Sequence, residues 1–298
     1  KNFPERFKNR IEVQNYLYTV LAQGFMRYRW LITYLFGASP IAEANYFDKE
    51  DELPHPIRSI RQSSYGFGTR FSGCFVDVQK YVKRIEEGLK QGVLIADHDF
   101  HSPVRFKGTK DFRDLPKKGV QYLELRMLDL DPSSSVGVRT GTLRFIRLLS
   151  SYFIMHPALK ADDVDQVLSK ADEMNEDVSV ELPTDQCKYQ NKARAFIKSW
   201  VPLQFANPSN PAVHAATTGQ EILEDLEDRV ENPKTTPSAK LLSYVENNSL
   251  EKYALRRAKR YQEAALESIY QFKGFEDDAP MSAEDLKREL FYGNWEVQ

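Results

Sequence analysis

Residues 120–132 read VQYLELRMLDLDP, a strand pattern that sets Glu124 and Arg126 on one face and Leu123, Leu125 and Met127 on the other. Side chains two apart on a strand point the same way, so one face packs while the other presents a carboxylate beside a guanidinium. A carboxylate suits a hard cation such as Mg2+. A neighbouring Arg can grip phosphate oxygens with two parallel hydrogen bonds. Taken alone, the pair is equally an ordinary solvated ion pair of little energetic weight.

Two further clusters precede it. Arg61 stands in RQSSYGFGTRFSG with Tyr65, Gly66 and Phe67, where an unencumbered Gly/Ser backbone lets a small anion approach the Arg; a surface turn carrying an Arg has the same composition. Asp99, His101, Arg105 and Lys107 put an acid, an imidazole and two cations within nine residues around Pro103. Such a loop could touch nucleotide phosphates or simply be solvated. His55, His98, His156 and His214 have no partner at metal-ligand spacing, and GxxxxGKS, GxSxG and HExxH are all absent. Any use of ATP would proceed without the common phosphate loop.

The elements that must position these residues follow from periodicity. A long helix is expected from about Arg10 to Phe36, apolar on several sides and therefore buried, and stopped by Gly37-Ala38-Ser39-Pro40 with Gly as a C-terminal cap. This stop explains every residue of 37–40, so no catalytic role is assigned to it. Residues 41–60, with Pro54, Pro56 and several acids, read as a surface loop. Helical spacing returns over 76–91, a short strand is expected at 93–95, and 97–119 reads as a loop leading into the strand at 120–132. Beyond it, helices are expected at 139–155, 162–176, 186–200, 218–231, 237–247 and 249–271, punctuated by prolines. The acidic EILEDLEDRVE (221–231) and the basic RRAKRYQE (256–263) read as solvated helix faces rather than binding patches. The expected class is α+β, with residues 1–155 carrying the sheet and the long buried helix and 156–298 forming a helical layer of the same domain.

Composition narrows the function classes. With 41 basic and 43 acidic residues the net charge is −2, and no basic stripe with regular aromatic spacing appears, which argues against nucleic acid as a partner. Two cysteines, Cys74 and Cys187, make neither a disulfide framework nor a zinc spacing, as in a reducing cytoplasm. The most apolar run, Trp30–Phe36, falls far short of the about 20 residues needed to span a bilayer. The start, KNFPERFKNR, does not resemble a signal peptide.

Five segments in order, WLITYLFGASP (30–40), SIRQSSYGFGT (59–69), SPVRFK (102–107), YLELRMLDLDP (122–132) and NPKTTPSAKLL (232–242), resemble the bacterial glutamate–cysteine ligases, alone or as part of a bifunctional glutathione synthase. The resemblance is strongest over about 25–155. It implies a glutamine-synthetase-like curved antiparallel sheet backed by helices. It also implies ATP- and Mg2+-dependent joining of the γ-carboxyl of L-glutamate to the amine of L-cysteine through a γ-glutamyl phosphate. Residue by residue, it makes Glu124 a Mg2+ ligand, Arg126 a contact of the transferring phosphoryl group, and Arg61 a holder of the glutamate carboxylate. Arg105 and Lys107 fall near the nucleotide phosphates. Phe67 and His101 stand where relatives often carry tyrosines of the cysteine pocket, with Tyr65 able to supply a hydroxyl; these departures keep another carboxylate–amine ligase, or a non-catalytic fragment with the same fold, as alternatives. Relatives carry acidic metal ligands and a His-containing motif upstream of the long helix, so the expectation is a portion of an enzyme that is inactive without that segment.

Overall fold

A computed structural model of the chain describes residues 7–43, 46–47, 53–66, 71–199 and 213–270. The chain divides into two compact units, Lys1–Glu251 and Lys252–Gln298.

In the first unit, α1 (Arg10–Arg27) is capped by Asn9, whose side chain accepts from the Glu12 N–H. The single helix expected over 10–36 is broken at Tyr28, where the backbone leaves helical values (φ −106°, ψ 14°) and the ring stacks on Phe196 at 4.3 Å. The break lets α2 (Arg29–Phe36) enter the core separately, with every residue from Trp30 to Phe36 buried. A helix apolar on all sides has nowhere else to go. It packs chiefly on α6 (Val164–Ser179), which supplies Leu168, Met174 and Val178 to the same core.

Gly37 ends α2, but not in the left-handed conformation expected of a glycine cap: its φ is −55° and ψ 134°. It is needed for space instead. A Cβ there would lie 2.6 Å from the Arg58 carbonyl oxygen and 2.7 Å from that of Thr33. The two strands of chain run together at this point, with a parallel bridge between Ser39 and Ser59 and hydrogen bonds from Ile57 N–H to Pro40 O and from Ile60 N–H to Ser39 O. The surface loop expected over 41–60 is accordingly corrected for its last four residues, since Ile57, Arg58, Ser59 and Ile60 are buried.

Helix α3 (Val78–Lys90) is capped by the Asp77 carboxylate on Lys80 N–H and buries Val78, Tyr81, Val82 and Ile85. The strand expected at 93–95 does not form: after Gly92 (φ 69°) the chain turns, leaving Val93 and Ile95 exposed. A strand does form inside the segment expected to be a loop. Here β1 (Val104–Lys107) pairs antiparallel with β2 (Tyr122–Leu125), in the register Val104↔Leu125, Arg105↔Glu124, Phe106↔Leu123, Lys107↔Tyr122. The short helix α4 (Leu115–Lys118) lies in their connection. The strand expected over 120–132 is thus confined to four residues, with one further rung from Arg126 N–H to Pro103 O at 2.8 Å.

The remainder is helical, as periodicity indicated: α5 (Thr140–Ile154), α6, α7 (Gln190–Lys198), α8 (Val213–Glu231) and α9 (Pro237–Leu242). In α8, Leu223, Leu226 and Val230 are buried while Glu224, Asp225 and Asp228 are exposed, so the acidic run is a solvated face. In the second unit, α10 (Glu251–Tyr270) exposes Lys252, Arg256, Lys259, Arg260 and Glu263, again a solvated mixed-charge face. The class is α+β with a small antiparallel sheet. Among the described residues no helix is long and apolar enough to cross a membrane.

Candidate functional site

The hairpin register decides which side chains meet. Arg105 and Lys107 alternate with Val104 and Phe106, and the pairing Arg105↔Glu124 brings both cations of β1 onto the face that carries Glu124. On the reverse, Val104, Phe106 and Met127 are buried, with Leu123 and Leu125 packed against the core. Helix α1 holds the entry to β2: Gln14 Nε2 donates to the Val120 carbonyl at 2.5 Å, Asn15 Oδ1 accepts from Val120 N–H at 2.9 Å, and the Tyr18 hydroxyl donates to the Gln121 carbonyl.

Glu124 sits at the centre of this face, within an arc of cations. Its Oε2 is 3.7 Å from Lys107 Nζ and 3.9 Å from Arg105 Nε, and its Oε1 is 4.0 Å from Arg126 Nε. All three separations exceed hydrogen-bond length. Oε2 is shielded from solvent and accepts no hydrogen bond. A shielded carboxylate oxygen without a hydrogen bond is costly unless neighbouring charge or a bound group compensates it, and here the compensation comes from the two cations of β1. Arg105 is itself buried and spends one N–H on the Asp97 carbonyl at 3.1 Å, which fixes its direction. A small cleft of about 70 Å³ adjoins the cluster, lined by Arg105, Lys107, Lys110 and Asp97 among apolar Tyr81, Ile85 and Phe112.

Arg61 joins from another part of the chain, donating from Nε to the carbonyl of Arg126 at 3.0 Å while its residue stays exposed. Its loop is docked onto α6. Asn175, fully buried, donates to the Gln62 carbonyl and accepts from the Thr33 hydroxyl; the Glu176 carboxylate accepts from both the N–H and the hydroxyl of Ser64.

The structure therefore brings together Glu124, Arg126, Arg105, Lys107 and Arg61. Tyr65 is half-buried, its ring edge-on to Phe47 at 6.0 Å, and His101 is exposed just before β1; no described contact joins either to the cluster. Phe67 lies outside the described residues. Sequence reasoning missed Asp129 and Asn175. Asp129 carried a signal: in the alternation of 120–132 it falls on the side of Leu125 and Met127, and an acid on the packing side of a strand pattern needs a buried partner. Nothing distinguished Asn175 from other polar helix residues.

The family model for glutamate–cysteine ligase matches residues 3–176. Similar proteins include the bifunctional glutathione biosynthesis protein GshAB of Streptococcus thermophilus, 35% identical over 272 residues that make up 90% of this chain and 34% of the relative, and that of Enterococcus faecalis, 31% identical over 276 residues, 92% and 34% respectively. The chain spans about a third of the length of the curated relatives it matches. Among solved structures, a bifunctional glutathione synthetase from Pasteurella multocida superposes with a TM-score of 0.74 at 24% identity, covering 90% of this chain and 35% of that one. A glutamate–cysteine ligase from Francisella tularensis, solved with AMP, gives 0.67 at 19% identity, covering 84% and 58%.

Proposed function

The chain belongs to the glutamate–cysteine ligase family, and from this premise we propose that its hairpin face is the phosphate and metal side of an active site that makes γ-glutamylcysteine from L-glutamate, L-cysteine and ATP, the first step of glutathione synthesis. A carboxylate is a poor electrophile at neutral pH. Phosphorylation by ATP turns one of its oxygens into a leaving group, which the amine then displaces.

The single observation that carries this reading is the Glu124 carboxylate, its Oε2 without a hydrogen bond, ringed by Arg105, Lys107 and Arg126. Three cations against one carboxylate attract a polyanion rather than a bare metal ion, which supports nucleotide phosphates entering with their Mg2+. The orphaned Oε2 fits such an ion as one ligand; Mg2+ supplies charge neutralisation of the phosphoryl oxygens. Arg126 would stabilise the transferring phosphoryl group, with Arg105 and Lys107 on the nucleotide phosphates. Arg61, steadied by the Arg126 carbonyl, would bind a glutamate carboxylate. Tyr65, Phe67 and His101 are proposed for the cysteine side.

No group of three or more His, Cys, Asp or Glu residues that could hold a metal exists among the described residues. The remaining metal ligands, and the further strands that would extend β1–β2 into a glutamine-synthetase-like curved sheet, are proposed to come from outside the described residues. Within the first unit, a sheet-bearing part and a helical layer of one domain fit the packing of α6 on α2, whereas residues 252–298 fall in the second unit. A cytoplasmic setting fits glutathione chemistry.

The test is ATP-dependent phosphate release by the full-length protein with glutamate and a panel of amines. Release should require glutamate and be fastest with cysteine. Equal rates with every amine would replace this reading by a broader carboxylate–amine ligase, and glutamate-independent release would sink it.

A further inference from the structure

Asp129 lies five residues beyond Glu124, past the end of β2, and is buried. Its Oδ2 accepts from the backbone N–H of Ala38 at 2.7 Å and from the Ser39 hydroxyl at 2.9 Å. A hydroxyl that donates still has lone pairs to offer. The Ser39 oxygen accepts in turn from the backbone N–H of Arg61 at 3.5 Å. The Arg61 side chain then returns to the same stretch of chain, through its Nε bond to the Arg126 carbonyl. Arg61 is thus held at both ends by residues 126–129, its backbone through Ser39 and Asp129 and its guanidinium through Arg126.

An ordinary structural anchor at this position would not need a charge. Asp129 Oδ1 is buried without a hydrogen bond, and burial raises the pKa of the carboxyl despite the bonds from Ala38 and Ser39. An asparagine would offer the same acceptor to Ala38 and Ser39 without the cost of a desolvated charge. What the charge adds is a stronger hold on its two donors, the Ala38 N–H and the Ser39 hydroxyl, because a hydrogen bond to an ionised acceptor is stronger than one to a neutral amide.

We propose that Asp129 is a positioning residue: through its charge-assisted bond from Ser39, which in turn accepts from the Arg61 backbone, it holds Arg61 at a set distance and angle from Arg126 and Glu124, so that the carboxylate substrate and the phosphoryl-transfer face keep one geometry. The kinetic part of this inference rests on the proposed function; the geometric part does not. The relay also gives the Gly37–Pro40 turn a purpose beyond ending a helix.

The test uses Asp129→Asn and Ser39→Ala in the full-length protein, with two readouts. The first is the 15N–1H resonance of Arg61 Nε–H, which the bond to the Arg126 carbonyl should protect from solvent exchange in the wild type and which should broaden or lose protection in both variants. The second is steady-state kinetics: KM for glutamate should rise about tenfold in Asp129→Asn and about threefold in Ser39→Ala, with kcat and KM for ATP within about twofold, the signature of lost substrate binding rather than lost chemistry. Protection of Arg61 Nε–H in both variants overturns the inference. So does a folded Asp129→Asn whose KM for glutamate is that of the wild type, with or without a lower melting temperature, because that result marks a purely structural contact. Should Asp129→Asn fail to fold, Ser39→Ala, which leaves the Ala38 bond in place, decides on the same readouts. A wild type with no glutamate-dependent phosphate release overturns the proposed function alone, and the Arg61 resonance still decides the role of Asp129.

Discussion

Arg58 and Arg126 each stand beside a glutamate, yet one pair is closed and the other open. Arg58 is fully buried and each of its guanidinium nitrogens has a partner: Nε donates to Glu181 Oε2 at 3.0 Å, Nη1 to the Pro183 carbonyl at 3.1 Å and Nη2 to the Asp185 carbonyl at 2.6 Å, with the guanidinium carbon 4.8 Å from the centre of the Tyr34 ring. The backbone N–H groups of Arg58 and Ser59 both donate to the Ser179 carbonyl. Neighbouring Cys187, its thiol pushed up to about 12 by burial and then by Glu181, is inert packing. Around Glu124, by contrast, the cations stop at 3.7–4.0 Å and the shielded oxygen has no donor. A desolvated charge is tolerable when each of its polar atoms is paired, and pairing of this kind fits a scaffold role. On the proposed function, the charge cluster kept just outside hydrogen-bond reach is the one that a ligand would complete.

If that contrast is right, removing the closed arginine should unfold the protein without altering what remains active. Arg58→Ala leaves the Glu181 carboxylate and two carbonyls without their donor, and a loss of about 3–5 kcal/mol in denaturant unfolding is expected, with KM for glutamate in the surviving fraction unchanged. The open cluster should behave oppositely. Glu124→Gln and Arg126→Ala should each lower glutamate-dependent phosphate release about 10²–10³-fold, while the unfolding midpoint stays where it was. A midpoint that falls as far as in Arg58→Ala would erase the distinction.

A smaller effect tests the backbone side of the clamp. Gly37→Ala drives a Cβ against the Arg58 and Thr33 carbonyl oxygens, which cannot swing aside as a side chain would. About 1–3 kcal/mol should be lost in thermal or urea unfolding. The smallest effect is of the opposite sign. Because the folded pKa of Asp129 is raised, the folded state binds its proton more tightly than the unfolded chain does, so its ionisation costs stability as pH rises through the folded value. Asp129→Asn should therefore be as stable as the wild type or slightly more so at pH 7.5, and the difference should vanish below about pH 4, where the unfolded carboxyl is also protonated. Melting curves at the two pH values check this.

Much of the candidate site was legible from the alternation of 120–132, which placed Glu124 opposite a packing face before any fold was known. Its companions on β1 were legible only as a mixture of charges, because VRFK is four residues long, follows a proline and has no periodicity of its own. Arg58 was hidden for a related reason: in a segment with Pro54, Pro56 and several acids, nothing local distinguishes a buried guanidinium from an exposed one. The same holds for Asn175, whose bonds to Thr33 and Gln62 span more than a hundred residues of chain.

The amino-acid sequence by itself determined where most of the helices lie, the alternation that gives β2 its two-faced chemistry, and the family to which these motifs belong, because those follow from side-chain period and residue type within a few turns of chain. Tertiary structure alone decided that Arg105 and Lys107 meet Glu124, that Arg61 reaches the Arg126 carbonyl, and that Arg58 is closed while Glu124 is open. Each of these depends on a register or a docking between distant segments, and hydrogen-bond saturation is a property of the assembled neighbourhood rather than of any residue within it.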